Sequence, residues 1–161
     1  MQYPRLETNC SNCHNHMPAL AFFDAPEISG YKVCHSCYSN LRAKVGYVSD
    51  ALLVLYFALK KQKITAVLEN SAEFKKVHIA IDAVKLYIAV DGDHDYTDHK
   101  QAKQDLQRTF YSLQHDFVTI RVPNTLIENE LQEACNYLSE IVSVRQKKMV
   151  STNAWVKSSP F

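Results

Sequence analysis

The sequence predicts a mixed α/β fold behind a small cysteine-rich module, and three observations carry that prediction. Four of the five cysteines fall within residues 10–37 as two Cys-x2-Cys pairs. Two β-prone runs, VHIAI at 77–81 and LYIAV at 86–90, flank a short polar segment in the pattern of a hairpin. Apolar residues then recur at helical spacing, first at Ala102, Leu106, Phe110 and Leu113, and again at Ile127, Leu131, Ala134, Leu138 and Ile141. The composition shift near residue 46 divides the chain into a module at 1–46, a domain at 47–148 and a tail at 149–161.

Composition bounds the rest. At 161 residues the chain suits one ordinary domain plus a small module and can bury a real core. A formal net charge of +1 excludes a highly basic nucleic-acid coat but leaves room for a local basic face. Three glycines in the whole chain favour long regular elements over many tight turns. The start carries no basic stretch followed by an apolar run, so no secretory signal is read. The most apolar run, ALLVLYFAL at 51–59, rises only about 14 Å as a helix, too short for a bilayer, and Lys60, Lys61 and Lys63 close it. A buried helix and a cytoplasmic protein follow, and in that compartment paired cysteines point to metal rather than disulfides.

The remaining elements follow in order. Ser49 or Asp50 supplies a side-chain oxygen for the first amides of a helix reaching about Gln62. Residues 64–68 form a short β-prone run, and the hairpin comes next. Thr97 or Asp98 caps a helix to about Gln114, FVTIRV at 117–122 is a strand stopped by Pro123, and Asn124 caps the last helix. Arg145, Lys147 and Lys148 suit its carbonyl end, and 151–161 reads as a loose tail.

Two residues between cysteines let both thiolates converge on one tetrahedral ion. Two such pairs, Cys10 with Cys13 and Cys34 with Cys37, supply four soft ligands and leave no open position. That is the donor set of a structural zinc site. His14, His16 and His35 lie close enough in sequence to substitute, but read as surface residues. Cys135 sits beside the last helix's apolar stripe and reads as a small core residue.

Any remaining chemistry lies in the segment HIAIDAVKLYIAVDGDHDYTD. Asp82 ends one strand of the hairpin and Asp91 ends the next, and two carboxylates brought together call for a cation. Mg²⁺ or Mn²⁺ with a few carboxylates can activate water, and His94 could then move or orient a proton. A solvated loop with a helix cap explains the same acids. The EF-hand pattern fails, with Tyr96 where the loop needs glycine and Ala102 at its twelfth position.

From about 77 to 144 the chain resembles the very-short-patch-repair-like branch of the PD-(D/E)XK nuclease superfamily. The residues that carry the likeness are the Asp82 motif, IAVDGDH, QAKQDLQRTFYSL, FVTIRVPN and the closing amphipathic helix. The resemblance implies a restriction-endonuclease-like αβββαβ core and a divalent-metal endonuclease that hydrolyses phosphodiester bonds in DNA. Asp82 and Asp91 would hold Mg²⁺ or Mn²⁺, His94 would match a nearby histidine, and Lys100, Lys103 and Arg108 would meet DNA phosphates. The chain departs from the family at Ala89, where a glutamate is usual, and at the apolar 51–59 helix, where members often carry another. Glu69 or Glu73 would have to take over that role. The alternative is a catalytically degenerate module that binds nucleic acid or protein around a structural zinc. For the basic residues the simpler expectation is a solvated helix face, with Asp105 pairing Arg108.

Overall fold

The computed structural model describes residues 8–28, 30–45, 50–71, 76–91 and 99–158. The chain begins with a short helix α1 (Ala19–Phe23), a two-stranded hairpin β1 (Glu27–Ile28) and β2 (Tyr31–Lys32), and helix α2 (His35–Val45). Helix α3 (Asp50–Lys61) leads into β3 (Val67–Ser71), β4 (Lys76–Ile81) and β5 (Leu86–Asp91). Helix α4 (His99–Gln114), strand β6 (Val118–Pro123) and helix α5 (Asn124–Ser158) complete it. The order helix, three strands, helix, strand read from the sequence is present.

Strands β3, β4 and β5 form an antiparallel meander, and β6 joins β5 in parallel after the α4 crossover, so the sheet order is β3-β4-β5-β6. Alternation sends Leu68, Ile79, Ile81, Leu86, Ile88 and Val122 to one face, where they are buried with residues of α3 and α5. The other face carries Tyr87, Thr119 and Arg121, and α4 lies on it. The β4–β5 turn is a single 3₁₀ turn (Asp82–Val84) closed by Lys85 in the left-handed region at φ 52°. Arg145 of α5 clamps that turn, donating from Nε to the Val84 carbonyl at 2.7 Å and from Nη2 to the Lys85 carbonyl at 3.1 Å.

Helix α3 explains why so apolar a run lies inside a small domain. Ala51, Leu52, Leu53, Leu55, Tyr56, Phe57 and Leu59 are all buried, which is more than one helical stripe. One side meets α5 and the sheet. Another is covered by the N-terminal hairpin, where Tyr31 stacks on Phe57 with ring centroids 5.1 Å apart. Cys10, Met17, Ile28, Val33 and Leu41 belong to the same continuous core as Leu55, Ile79 and Leu138. Among the described residues no helix is long and apolar enough to cross a membrane.

Three expectations need correction. The strand expected at 64–68 begins at Val67, because the α3 C-terminus closes through Ile64, whose amide bonds Leu59 O at 3.1 Å. The last helix continues to Ser158 instead of giving way to a loose tail, with a non-helical residue, Glu130, inside it. The apolar stripe of α4 is helical as read but faces water: Leu106, Phe110 and Leu113 are 71%, 63% and 59% exposed. The helix docks instead through its polar side, where Ser112 is buried.

Removing the ring that joins hairpin to helix tests this packing. Phe57→Ala should cost about 3–5 kcal/mol, since it opens a cavity between two layers. Arg145→Ala should cost about 1.5–3 kcal/mol, the worth of hydrogen bonds from a charged donor. Denaturant unfolding of the metal-loaded protein measures both, and a cost below about 1 kcal/mol for Phe57→Ala would contradict the shared core.

Candidate metal centre

Residues 10–13 make a tight turn whose backbone is satisfied internally. The Cys10 amide donates to Asn15 O at 3.0 Å and the His14 amide to Cys10 O at 2.9 Å. Asn9 and His16 bridge below it, and His14 takes the left-handed conformation at φ 60°. The Ser11 amide donates to Lys32 O at 2.9 Å, which ties this turn to β2. The second pair comes from the junction of hairpin and helix: Cys34 precedes α2 and Cys37 lies in its first turn. The Cys34 amide donates to Cys10 Sγ at 3.3 Å, so one pair's backbone already points at the other pair's sulfur.

These elements bring the four sulfurs of Cys10, Cys13, Cys34 and Cys37 within 4.8 Å of one another. A tetrahedral ion with metal–sulfur bonds of ~2.3 Å needs sulfur–sulfur edges of about 3.8 Å, so a small contraction closes the shell. The donor set therefore fits a metal ion such as zinc. Cys10 and Cys37 are buried and Cys13 is exposed. Burial pushes the Cys37 thiol up to about 12 and also raises Cys13. For Cys10 burial acts in the same direction but is outweighed by the amides of Cys13, Cys34 and Asn12, which bring it down to about 7. Cys37 and Cys13, held up beside a lowered Cys10, do not ionise together with it unaided. A bound cation removes the conflict by deprotonating each ligand.

A layer around the sulfurs was not legible in the sequence. Lys60 of α3 donates from Nζ to the backbone and side-chain oxygens of Asn12, inside the Cys10–Cys13 turn, the latter at 3.2 Å. Tyr56 donates its hydroxyl to Asn12 Oδ1 at 2.9 Å. Burial lowers the Lys60 pKa, and the sulfurs of Cys37, Cys10 and Cys13 oppose that shift. A divalent ion with four thiolates is a net anion, and Lys60 together with the positive end of α2 offsets it. The clue was Tyr56 and Lys60 four residues apart, one turn of an otherwise apolar helix. His14, His16 and His35 are exposed and not needed as ligands; His16 Nδ1 contacts Thr8 Oγ1 at 3.1 Å. Cys135 is a buried core residue, as read.

The acidic hairpin is arranged differently from expectation. The register pairs Ile81 with Leu86 and Ile79 with Ile88, which places Asp82 at the turn and Asp91 at the opposite end of β5. Five residues of strand separate them, about 17 Å. Asp82 and Asp91 therefore cannot share one ion, since hairpin residues meet only when they are opposite in register. His94 and Glu73 lie outside the described residues. Glu69 of β3 lies near Tyr87, whose pKa is raised first by burial, then by Glu69, Asp82 and Tyr111. Among the described residues no acidic group is gathered as the four cysteines are.

Of the three basic residues expected to face phosphates, Lys100 and Lys103 are exposed. Arg108 is not available: its Nη1 donates to Asp105 Oδ1 at 2.6 Å, while Arg121 Nη1 holds Oδ2 at 2.8 Å. The ion pair is how α4 grips the sheet. No protein-family model, curated protein or solved structure matches this chain.

Native mass spectrometry should find one divalent ion per chain, lost in Cys37→Ser. Lys60→Met should weaken metal retention against a chelator by about 10–100-fold, the usual cost of losing an outer partner. An unchanged chelation rate in a folded Lys60→Met protein would show that the lysine only packs.

Proposed function

We propose that the four-thiolate centre holds one structural zinc and that the chain is a non-cleaving DNA-binding module built on a nuclease-like layout. The observation that carries this reading is the separation of Asp82 and Asp91 at opposite ends of the hairpin. Hydrolysis by a bound Mg²⁺ or Mn²⁺ needs carboxylates that converge on the ion. With Ala89 in place of a glutamate, the described part of β5 offers no acidic side chain between Tyr87 and Asp91. The zinc supplies no open position for water, so its role is to fold the N-terminal module.

DNA as the partner rests on the resemblance, and the exposed basic residues of α4 support it. At 100° per residue, Lys103 lies opposite the buried Ser112, on the side of α4 turned away from the sheet, with Gln107, Gln114 and Lys100 around it. Such a surface suits phosphates and leaves base sequence unread.

Supercoiled DNA incubated with the zinc-loaded protein in Mg²⁺ or Mn²⁺ should stay intact, and Ala89→Glu should gain no Mg²⁺ binding by calorimetry. Metal-dependent nicking that disappears in Asp82→Ala or Asp91→Ala would overturn the non-cleaving reading. Duplex binding followed by anisotropy should weaken with salt. Replacing Lys100 and Lys103 by glutamine should reduce the slope of log affinity against log salt by about 2. Absence of any salt-dependent binding would remove DNA as the partner.

A further inference from the structure

The docking of α4 leaves two surfaces unpartnered on one side of the molecule. Asp105, Arg108 and Ser112 face the sheet, with Thr119 Oγ1 donating to Ser112 Oγ at 2.8 Å and Arg121 held by Asp105. At 100° per residue, Tyr111 lies about 100° to one side of Ser112, and the Ala102–Leu106–Phe110–Leu113 stripe about 110° to the other. Tyr111 is on the side of Tyr87, a residue of β5 in the middle of the sheet. The exposed apolar stripe therefore lies on the outer flank, along β6. Among the described residues β6 pairs only with β5, so its other edge is open there.

The open edge has a definite hydrogen-bonding pattern. The Val118 amide donates to Lys85 O at 3.0 Å, so residues 118, 120 and 122 direct their backbone groups toward β5. Thr119 and Arg121 direct theirs outward, and Pro123 has no donor. A two-fold axis at Ile120 would set Thr119 against the partner's Arg121 and Arg121 against the partner's Thr119. Each pair exchanges both of its bonds in an antiparallel ladder, and no like charges face each other.

The helices fit the same axis. Asp105 lies over Arg121 and Ser112 over Thr119, so α4 runs antiparallel to β6 and the axis passes near residues 108 and 109. That level is the midpoint of the stripe. Leu106 would then lie beside the partner's Phe110, Ala102 beside the partner's Leu113, and Lys103 near the partner's Gln114. Because α4 reaches both β6 and Tyr87, it sits over the seam of β5 and β6, half a strand spacing inward. Two such helices related by the axis are about 10 Å apart, the distance at which helices pack.

We infer that the chain forms a two-fold homodimer in which the β6 edges join into one continuous eight-stranded sheet and the apolar flanks of α4 pack against each other across the axis. The occupant of the exposed stripe is a second copy. Dimerisation does not require DNA, and it would place Lys100 and Lys103 of both copies on one side of the joined sheet.

Sedimentation of the full-length zinc-loaded protein over a range of concentrations tests this, with amide hydrogen exchange read on the same samples. The expected species has twice the 18.4 kDa chain mass, with slow exchange at the Thr119 and Arg121 amides. Phe110→Glu and Leu106→Glu alter exposed positions and should leave the circular dichroism and zinc content unchanged. Each should weaken the dimer by roughly a hundredfold or more and free the two edge amides. A protein that is monomeric at every concentration overturns the inference, including one that captures another chain on this flank. So does a dimer that survives either folded variant with unchanged exchange at Thr119 and Arg121.

Discussion

The N-terminal hairpin covers the side of helix α3 that α5 and the sheet leave open, and the four thiolates beside it can hold a metal ion that pins the hairpin there. The hairpin strands are two residues each, far too short to persist alone. A four-thiolate metal site supplies on the order of 10 kcal/mol, comparable to the whole stability of an ordinary domain. Tyr31 on Phe57 and Lys60 on Asn12 transmit that constraint to the larger sheet. A composition boundary near residue 46 is real in the sequence, yet the two sides share one hydrophobic core.

The second constraint is electrostatic. Helix α4 is bound to β6 by one carboxylate, Asp105, that serves Arg108 and Arg121 together. A shared and partly buried pair of this kind fixes orientation more than it adds stability. Its consequence is geometric: the helix turns its polar side inward and its leucines and phenylalanine outward. The edge strand and the exposed stripe come to one flank for that reason, and the proposed dimer follows from it.

Much of the layout could be read from the residues. The two Cys-x2-Cys pairs, the hairpin around 82–85, the start of the last helix at Asn124 and the burial of 51–59 rest on local rules of spacing and propensity, and they appear where expected. What failed needed three-dimensional information. Helical periodicity identifies a stripe at Ala102, Leu106, Phe110 and Leu113 without saying which side meets the sheet, and Asp105 with Arg121 decided that across sixteen residues. Two aspartates flanking a hairpin look adjacent along the chain, whereas the register alone decides that Asp82 is at the turn and Asp91 at the far end. Lys60 reads as the charged end of an apolar helix, and only the fold brings it to Asn12.

Metal bound at Cys10, Cys13, Cys34 and Cys37 is expected to keep α3 buried. Amide hydrogen exchange across 50–61, compared in metal-loaded and chelator-stripped full-length protein, tests it most directly. Strong protection is expected with the metal and near-complete loss without it, restored on adding zinc. Equal protection of α3 in both states would show that the core stands without the thiolate centre.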